Sequence, residues 1–155
     1  MGNSMNDFMG PIYKRIGKYY GQTAKQTPSG RQNNFDLMRR IKDASCFGKI
    51  TGSCGETIEI YLKVDGERII DASFVTDGCG FSVLCGYIAS RLAMGRSIDD
   101  AIQIERNTIL VFFEEVPEND SHCAYLAAEA LQSAIHNWMV QQRKRISAGE
   151  QSPGL

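Results

Sequence analysis

Thr57-Ile-Glu-Ile-Tyr-Leu-Lys-Val64 alternates apolar and polar residues with a period of two. Successive side chains of an extended chain point to opposite faces. Ile58, Ile60, Leu62 and Val64 therefore share one face, and Glu59, Tyr61 and Lys63 the other. A strand with one apolar and one polar side belongs in an antiparallel sheet with one buried face. Asp65-Gly66 follows at once as a hairpin turn signal. The run from Arg68 to Thr76 then returns, with Ile70, Ala72 and Phe74 on one face. Upstream, a shorter strand is expected around Gly48 to Gly52.

Helical patterns follow the strands. Ser82 to Met94 carries Val83, Ile88 and Leu92 with small residues between, and Gly95 is a natural C-terminal stop. Ser97-Ile-Asp-Asp100 has an acidic variant of the capping-box spacing and opens a helix expected to run through about Glu105. A further helical segment is expected over Thr108 to Glu114, and Pro117 to Ser121 reads as a loop. The longest helix is expected from about His122 to Arg145, with a wide apolar face that includes Leu126, Ala130, Leu131, Ile135 and Trp138. Strands first and helices afterwards predict an α+β fold. It comprises a small antiparallel three-stranded sheet packed against several helices, including a long C-terminal helix.

The 155 residues fit one domain with modest tails. Residues 1–46 form a polar N-terminal segment, expected to be partly helical or flexible; 47–145 form the domain; 146–155 read as a flexible tail. A net charge of −1 gives no electrostatic reason to expect a nucleic-acid or membrane partner. No apolar run approaches the length of a membrane span, and the N-terminus lacks a secretory pattern, so a cytoplasmic location is expected. In that compartment five cysteines point towards metal binding or reactive thiols and away from structural disulfides.

Three cysteines sit at the edges of predicted elements. Cys54 lies in Gly52-Ser-Cys-Gly-Glu56, between two strands. Cys79 lies in Asp77-Gly-Cys-Gly80, between a strand and a helix, and Cys123 follows His122 at the start of the long helix. Element edges project side chains towards one point while the scaffold fixes the distances. The flanking glycines let the backbone turn sharply and approach a ligand. Helix N-termini favour the thiolate form, which binds soft metals and accepts sulfur. Glu56 and His122 are candidate fourth ligands, and three sulfurs with one N or O suit tetrahedral zinc or an iron–sulfur cluster. The plainer reading of three dispersed cysteines is a set of buried core thiols. Cys85 reads as core packing, with a spare ligand or sulfur relay as the lesser reading, Cys46 as an incidental thiol in a polar connector, and His136 as a surface or packing residue.

Three motifs carry a family resemblance. Thr51-Gly-Ser-Cys-Gly-Glu-Thr-Ile-Glu-Ile-Tyr-Leu-Lys-Val64, Thr76-Asp-Gly-Cys-Gly-Phe-Ser82 and Ser121-His-Cys-Ala-Tyr-Leu-Ala-Ala-Glu-Ala130 stand in order and at family-like spacing. They resemble the U-type iron–sulfur cluster assembly scaffolds, meaning IscU and the N-terminal domain of NifU. The resemblance runs from about Gly48 to Trp138. It implies a scaffold and carrier, not an enzyme, that receives iron and sulfide and passes the cluster to apo-proteins. Carried over by motif, the cluster-binding residues are Cys54, Glu56, Cys79, His122 and Cys123. The implied cofactor is a transient iron–sulfur cluster, 2Fe-2S in type, with zinc as the metal that could stand in its place. The implied partners are a cysteine desulfurase, an iron donor and apo iron–sulfur proteins, with the chain a monomer or weak homo-oligomer.

The departures are specific. Glu56 stands where the family usually has Asp. Val116-Pro-Glu-Asn-Asp-Ser121 lacks the Leu-Pro-Pro-Val-Lys type of sequence that some members offer to a dedicated Hsp70 chaperone, which argues against that partner. The Cys79-to-Cys123 interval has no room for the long insert of the zinc-binding SufU branch. Two further readings stand beside the scaffold. One is a zinc-binding sulfur-transfer protein that accepts persulfide from a cysteine desulfurase. The other is a structural zinc module that would unfold on chelation.

Overall fold

The computed structural model describes residues 37–78, 80–113 and 121–147. The expectations for residues 1–36, Cys79, the loop before Ser121 and the tail from 148 onward lie outside them.

Three strands come first: β1 (Cys46–Thr51), β2 (Thr57–Asp65) and β3 (Arg68–Thr76). They form one antiparallel sheet in the order β1-β2-β3. The alternation of β2 reads out directly: Ile58, Ile60 and Leu62 are fully buried. Gly66, at a φ of 66°, begins the two-residue turn between paired Asp65 and Arg68.

Four helices follow: α1 (Gly80–Ala93), α2 (Ile98–Ala101), α3 (Arg106–Leu110) and α4 (Ser121–Ser147). α4 packs on β1 and β2, and α1 packs on β3 and α4. The core therefore lies between one sheet face and these two helices. Phe74, Ile88, Leu92, Leu131 and Ile135 are fully buried there, each contributing about 1.5–3 kcal/mol by its removal from water. Leu37 and Ile41, placed by sequence in the polar N-terminal segment, are also buried.

Several details differ from the sequence reading. In β3 the buried apolar residues are Ile69, Ala72 and Phe74, while Ile70 is exposed. The cause is a β-bulge: Lys63 pairs with Asp71 but Val64 pairs with Ile69, which leaves Ile70 as the extra residue. Ile69 is held from its other edge, since its N–H donates to the Arg96 carbonyl and its carbonyl accepts from the Gly95 N–H, both at 2.8 Å.

The helix expected from Ser97 to about Glu105 is only one turn. Ser97 does cap it, its side chain accepting from the Asp100 N–H at 3.2 Å, but Ile102 is already the C-cap. Glu105 instead opens α3 in a reciprocal capping box with Thr108. The segment expected over Thr108 to Glu114 is thus α3, shifted earlier. Cys46, read as an incidental thiol in a polar connector, starts β1 and is buried in the core. Gly95 fulfils its expected role, ending α1 at a φ of 84°.

Candidate metal and cluster site

The site forms where the β1–β2 loop, the β3–α1 junction and the N-terminus of α4 meet. The first loop is closed by the Gly52 N–H donating to the Glu56 carbonyl at 2.8 Å and the Gly55 N–H to the Gly52 carbonyl at 3.0 Å. Gly55 sits at a φ of 90°, a conformation that favours glycine, and this tight turn presents Cys54 at the surface. The loop is tied to the β3–α1 junction through Thr57. The Thr57 N–H donates to Asp77 Oδ1, and the Thr57 carbonyl accepts from Thr76 Oγ1, each at 2.8 Å.

α4 is brought over the sheet by close backbone approach. A Cβ on Gly48 would lie 2.3 Å from the Ala130 carbonyl oxygen, and one on Gly52 would lie 2.8 Å from Leu126 Cδ1. This seating delivers His122 and Cys123, in the first turn of α4, to the mouth of the Cys54 loop.

The structure brings together four of the five residues expected from sequence. His122 Nε2 lies 3.6 Å from Cys54 Sγ, 3.8 Å from Cys123 Sγ and 3.8 Å from Glu56 Oε2. Cys123 Sγ lies 3.7 Å from the same Glu56 oxygen. Cys54, Glu56 and His122 each offer a ligand atom within 4.8 Å of the others. Cys79, the fifth, is not among the described residues; Gly78 lies against Glu56 and Ser82.

These spacings fit a metal. Bonds of about 2.3 Å to sulfur and about 2.0–2.2 Å to nitrogen or oxygen, at tetrahedral angles, place neighbouring ligands roughly 3.3–3.8 Å apart. Mixed sulfur, imidazole and carboxylate donors suit zinc and iron better than magnesium or calcium. The site grades from wet to dry: Cys54 is exposed, His122 and Glu56 are partly buried, and Cys123 is fully buried.

Ser82 is a site residue that the sequence reading did not single out. It is fully buried, and its Oγ lies 2.9 Å from Glu56 Oε2 and 3.2 Å from Cys123 Sγ. The available signal was a hydroxyl in the first turn of a largely apolar helix, three residues after Cys79.

The profile of the NifU-like N terminal domain family matches residues 39–145. The chain belongs to this family. Among its relatives is the iron-sulfur cluster assembly scaffold protein IscU 1 of Archaeoglobus fulgidus. It is 33% identical over 106 residues, which cover 68% of this chain and 69% of that protein. The iron-sulfur cluster assembly protein IscU of Plasmodium falciparum is 34% identical over 105 residues, covering 68% of this chain and 63% of its own. The nitrogen fixation protein NifU of Azotobacter chroococcum matches over 101 residues at 33% identity, but these span only 33% of it. The fold agrees: a NifU-like protein (N-terminal) from Brucella abortus aligns over 89% of this chain and 99% of its own, with a TM-score of 0.58 at 17% identity.

Of the five cysteines, Cys46 and Cys85 sit in the hydrophobic core. Burial pushes the Cys46 thiol up to about 12, so it stays protonated and inert near neutral pH. His136 is exposed, as its sequence position suggested.

Proposed function

We propose that this chain is an iron–sulfur cluster assembly scaffold. It receives iron and sulfide at the end of the molecule where the cysteine loops meet α4, holds the nascent cluster, and passes it to apo-proteins. The cluster is cargo. Cys54, Cys79 and Cys123 hold it as thiolates, with Glu56 and His122 as the oxygen and nitrogen donors at the same site.

The observation that carries this reading is the meeting of two thiols, a carboxylate and an imidazole, with His122 Nε2 3.6–3.8 Å from each of the other three donor atoms, in a chain of this family. Three thiolates and one oxygen or nitrogen supply the four terminal ligands of a [2Fe–2S] cluster, whereas the resident clusters of ferredoxins take four cysteines. One weaker ligand leaves a corner that exchanges readily, which suits delivery.

The sulfur donor is a cysteine desulfurase. A thiolate of the site attacks the terminal sulfur of its persulfide, and the S–S bond breaks with the desulfurase leaving as its thiolate. Two electrons from an external thiol or electron-transfer reductant then release that sulfur as sulfide to the iron. The exposure of Cys54 suits this step, because the donor must reach the sulfur. The relatives described above as cluster assembly and scaffold proteins support the role of carrier. Among the described residues no helix is long and apolar enough to cross a membrane, which is compatible with the cytoplasm as the place of work.

Anaerobic reconstitution of the full chain with ferrous iron, cysteine and a desulfurase tests the proposal. Visible charge-transfer bands with matched iron and sulfide are expected, and each of Cys54→Ser, Cys79→Ser and Cys123→Ser should abolish them. A colourless protein that retains zinc and stimulates the desulfurase would replace the scaffold by a zinc-dependent sulfur-transfer protein.

A further inference from the structure

We propose that Ser82 is a positioning residue of this site, fixing the Glu56 carboxylate against the Cys123 sulfur and so making Glu56 an effective ligand. The inference rests on the scaffold reading only in taking Glu56 and Cys123 as ligands.

Ser82 is the third residue of α1 and is fully buried. A buried hydroxyl is retained where it is hydrogen-bonded. Here its partners come from two remote elements: Glu56 Oε2 at 2.9 Å from the loop before β2, and Cys123 Sγ at 3.2 Å from the first turn of α4. One hydroxyl carries one proton, so it donates to one of these two acceptors at a time. The contact to the carboxylate is the shorter, and a donor to an ionised acceptor makes the stronger bond. Ser82 is therefore placed to hold the Glu56 oxygen in every state in which that carboxylate is charged.

The opposite wall completes the clamp. A Cβ on Gly78 would stand 2.6 Å from Ser82 Oγ and 3.0 Å from Glu56 Cδ, so the Gly78 backbone lies directly against the pair. Glu56 is long and flexible and would otherwise sample many rotamers in solvent. Held between Gly78 and Ser82, its Oε2 stays 3.8 Å from His122 Nε2 and 3.7 Å from Cys123 Sγ, at ligand-to-ligand spacing. Partners of this kind orient metal ligands, and their loss lowers metal affinity about 10–100-fold.

The test is anaerobic titration of the metal-free full chain with Co²⁺ alone, read by its d–d and thiolate charge-transfer bands. The proteins are wild type, Ser82→Ala, Glu56→Ala and the double variant. Alanine adds no bulk and favours helix, so the fold is retained, and melting of the metal-free proteins reports on it separately. Ser82→Ala is expected to weaken Co²⁺ binding about 10-fold and to shift the d–d bands, but to add nothing when Glu56 is already Ala. An equal loss in both Glu56 backgrounds would overturn the proposal and leave Ser82 a packing residue. A wild-type chain that binds no Co²⁺ would overturn the thiolate site itself, and with it both proposals. Tight wild-type binding with no effect of Ser82→Ala would overturn this one alone.

Discussion

His122 Nε2 lies 3.6 Å from Cys54 Sγ, although 68 residues separate them in the chain. The same nitrogen faces Cys123 Sγ and Glu56 Oε2, each at 3.8 Å, so the imidazole is the hub of the donor set. It is also partly exposed, on the side from which iron and sulfur must enter. His122→Ala is expected to lower the iron and sulfide retained after reconstitution about 10-fold, through loss of a ligand or of the group that orients one. The change is at a half-exposed position, so stability should stay within about 0.5 kcal/mol of wild type. Iron and sulfide assays beside urea unfolding of the metal-free proteins check both parts. Full retention of cluster would remove His122 from the site.

The seat of α4 on the sheet is a second point of control. A Cβ on Gly48 would meet the backbone of Ala130 at 2.3 Å and of Ala134 at 2.5 Å, and backbone cannot swing aside as a side chain can. Gly48→Ala should destabilise the protein by about 1–3 kcal/mol or more, as overpacking does. Because α4 carries His122 and Cys123, cluster yield should fall with it, although Gly48 touches no ligand. Thermal melting with parallel reconstitution tests this; an unchanged melting temperature would mean that the helix and sheet are spaced more loosely than described.

Much of this arrangement was legible in the sequence, for physical reasons that can be named. The β2 alternation, the Asp65-Gly66 turn and the glycine stop at Gly95 are local signals, and each is expressed where it was read. The approach of Cys54, Glu56, His122 and Cys123 follows from placing chemistry at element edges. What escaped depends on long-range context. The bulge at Ile70 arises from pairing to both β2 and the loop at Gly95 and Arg96, which no local period reveals. Cys46 looked polar by its neighbours but starts a strand whose inner face meets α4. Ser82 is ordinary in sequence, and its meaning comes from two partners 26 and 41 residues away.

The bulge makes a sharp pair of expectations. Ile69 is fully buried and Ile70 is 42% exposed, reversing the order a regular strand would give. Ile69→Ala should cost about 2–5 kcal/mol, the range for deleting a buried aliphatic side chain. Ile70→Thr, on the outer surface in a residue type that suits strands, should stay within about 0.5 kcal/mol. Urea unfolding of the two variants decides it, and the opposite ranking would restore the unbroken register.

Thiol reactivity should separate the exposed site cysteine from the buried ones. Cys54 is exposed, Cys85 and Cys123 are fully buried, and burial holds the Cys46 thiol at about 12. Brief treatment of the metal-free native protein with iodoacetamide at neutral pH should modify Cys54, while Cys46, Cys85 and Cys123 react at least about 10-fold faster once denatured, following access and thiolate character. Peptide mass spectrometry reads the sites. Rapid native labelling of Cys46 would contradict its place in the core.

The solvent-side face of the sheet carries a pH-dependent contribution to stability. Tyr61 donates its hydroxyl to Glu59 Oε1 at 2.5 Å, and Arg40 reaches both Glu59 Oε2 and the Tyr61 hydroxyl at 3.2 Å. The Tyr61 hydrogen bond foremost, aided by Arg40 and opposed by burial, holds the Glu59 carboxyl below its ordinary range. Arg40 is 62% exposed, so its share is screened by solvent, whereas the Glu59 side chain is only 14% exposed. A carboxyl whose folded value is depressed stabilises the fold above its unfolded value, and that contribution is lost as pH falls through the folded value. Glu59→Gln should therefore cost on the order of 1 kcal/mol near neutrality, with the gap to wild type closing in acid below the ordinary glutamate range. Urea unfolding across a pH series measures it. Profiles that run parallel from neutral pH into acid would show that the Tyr61–Glu59–Arg40 cluster contributes packing but no linkage to protons.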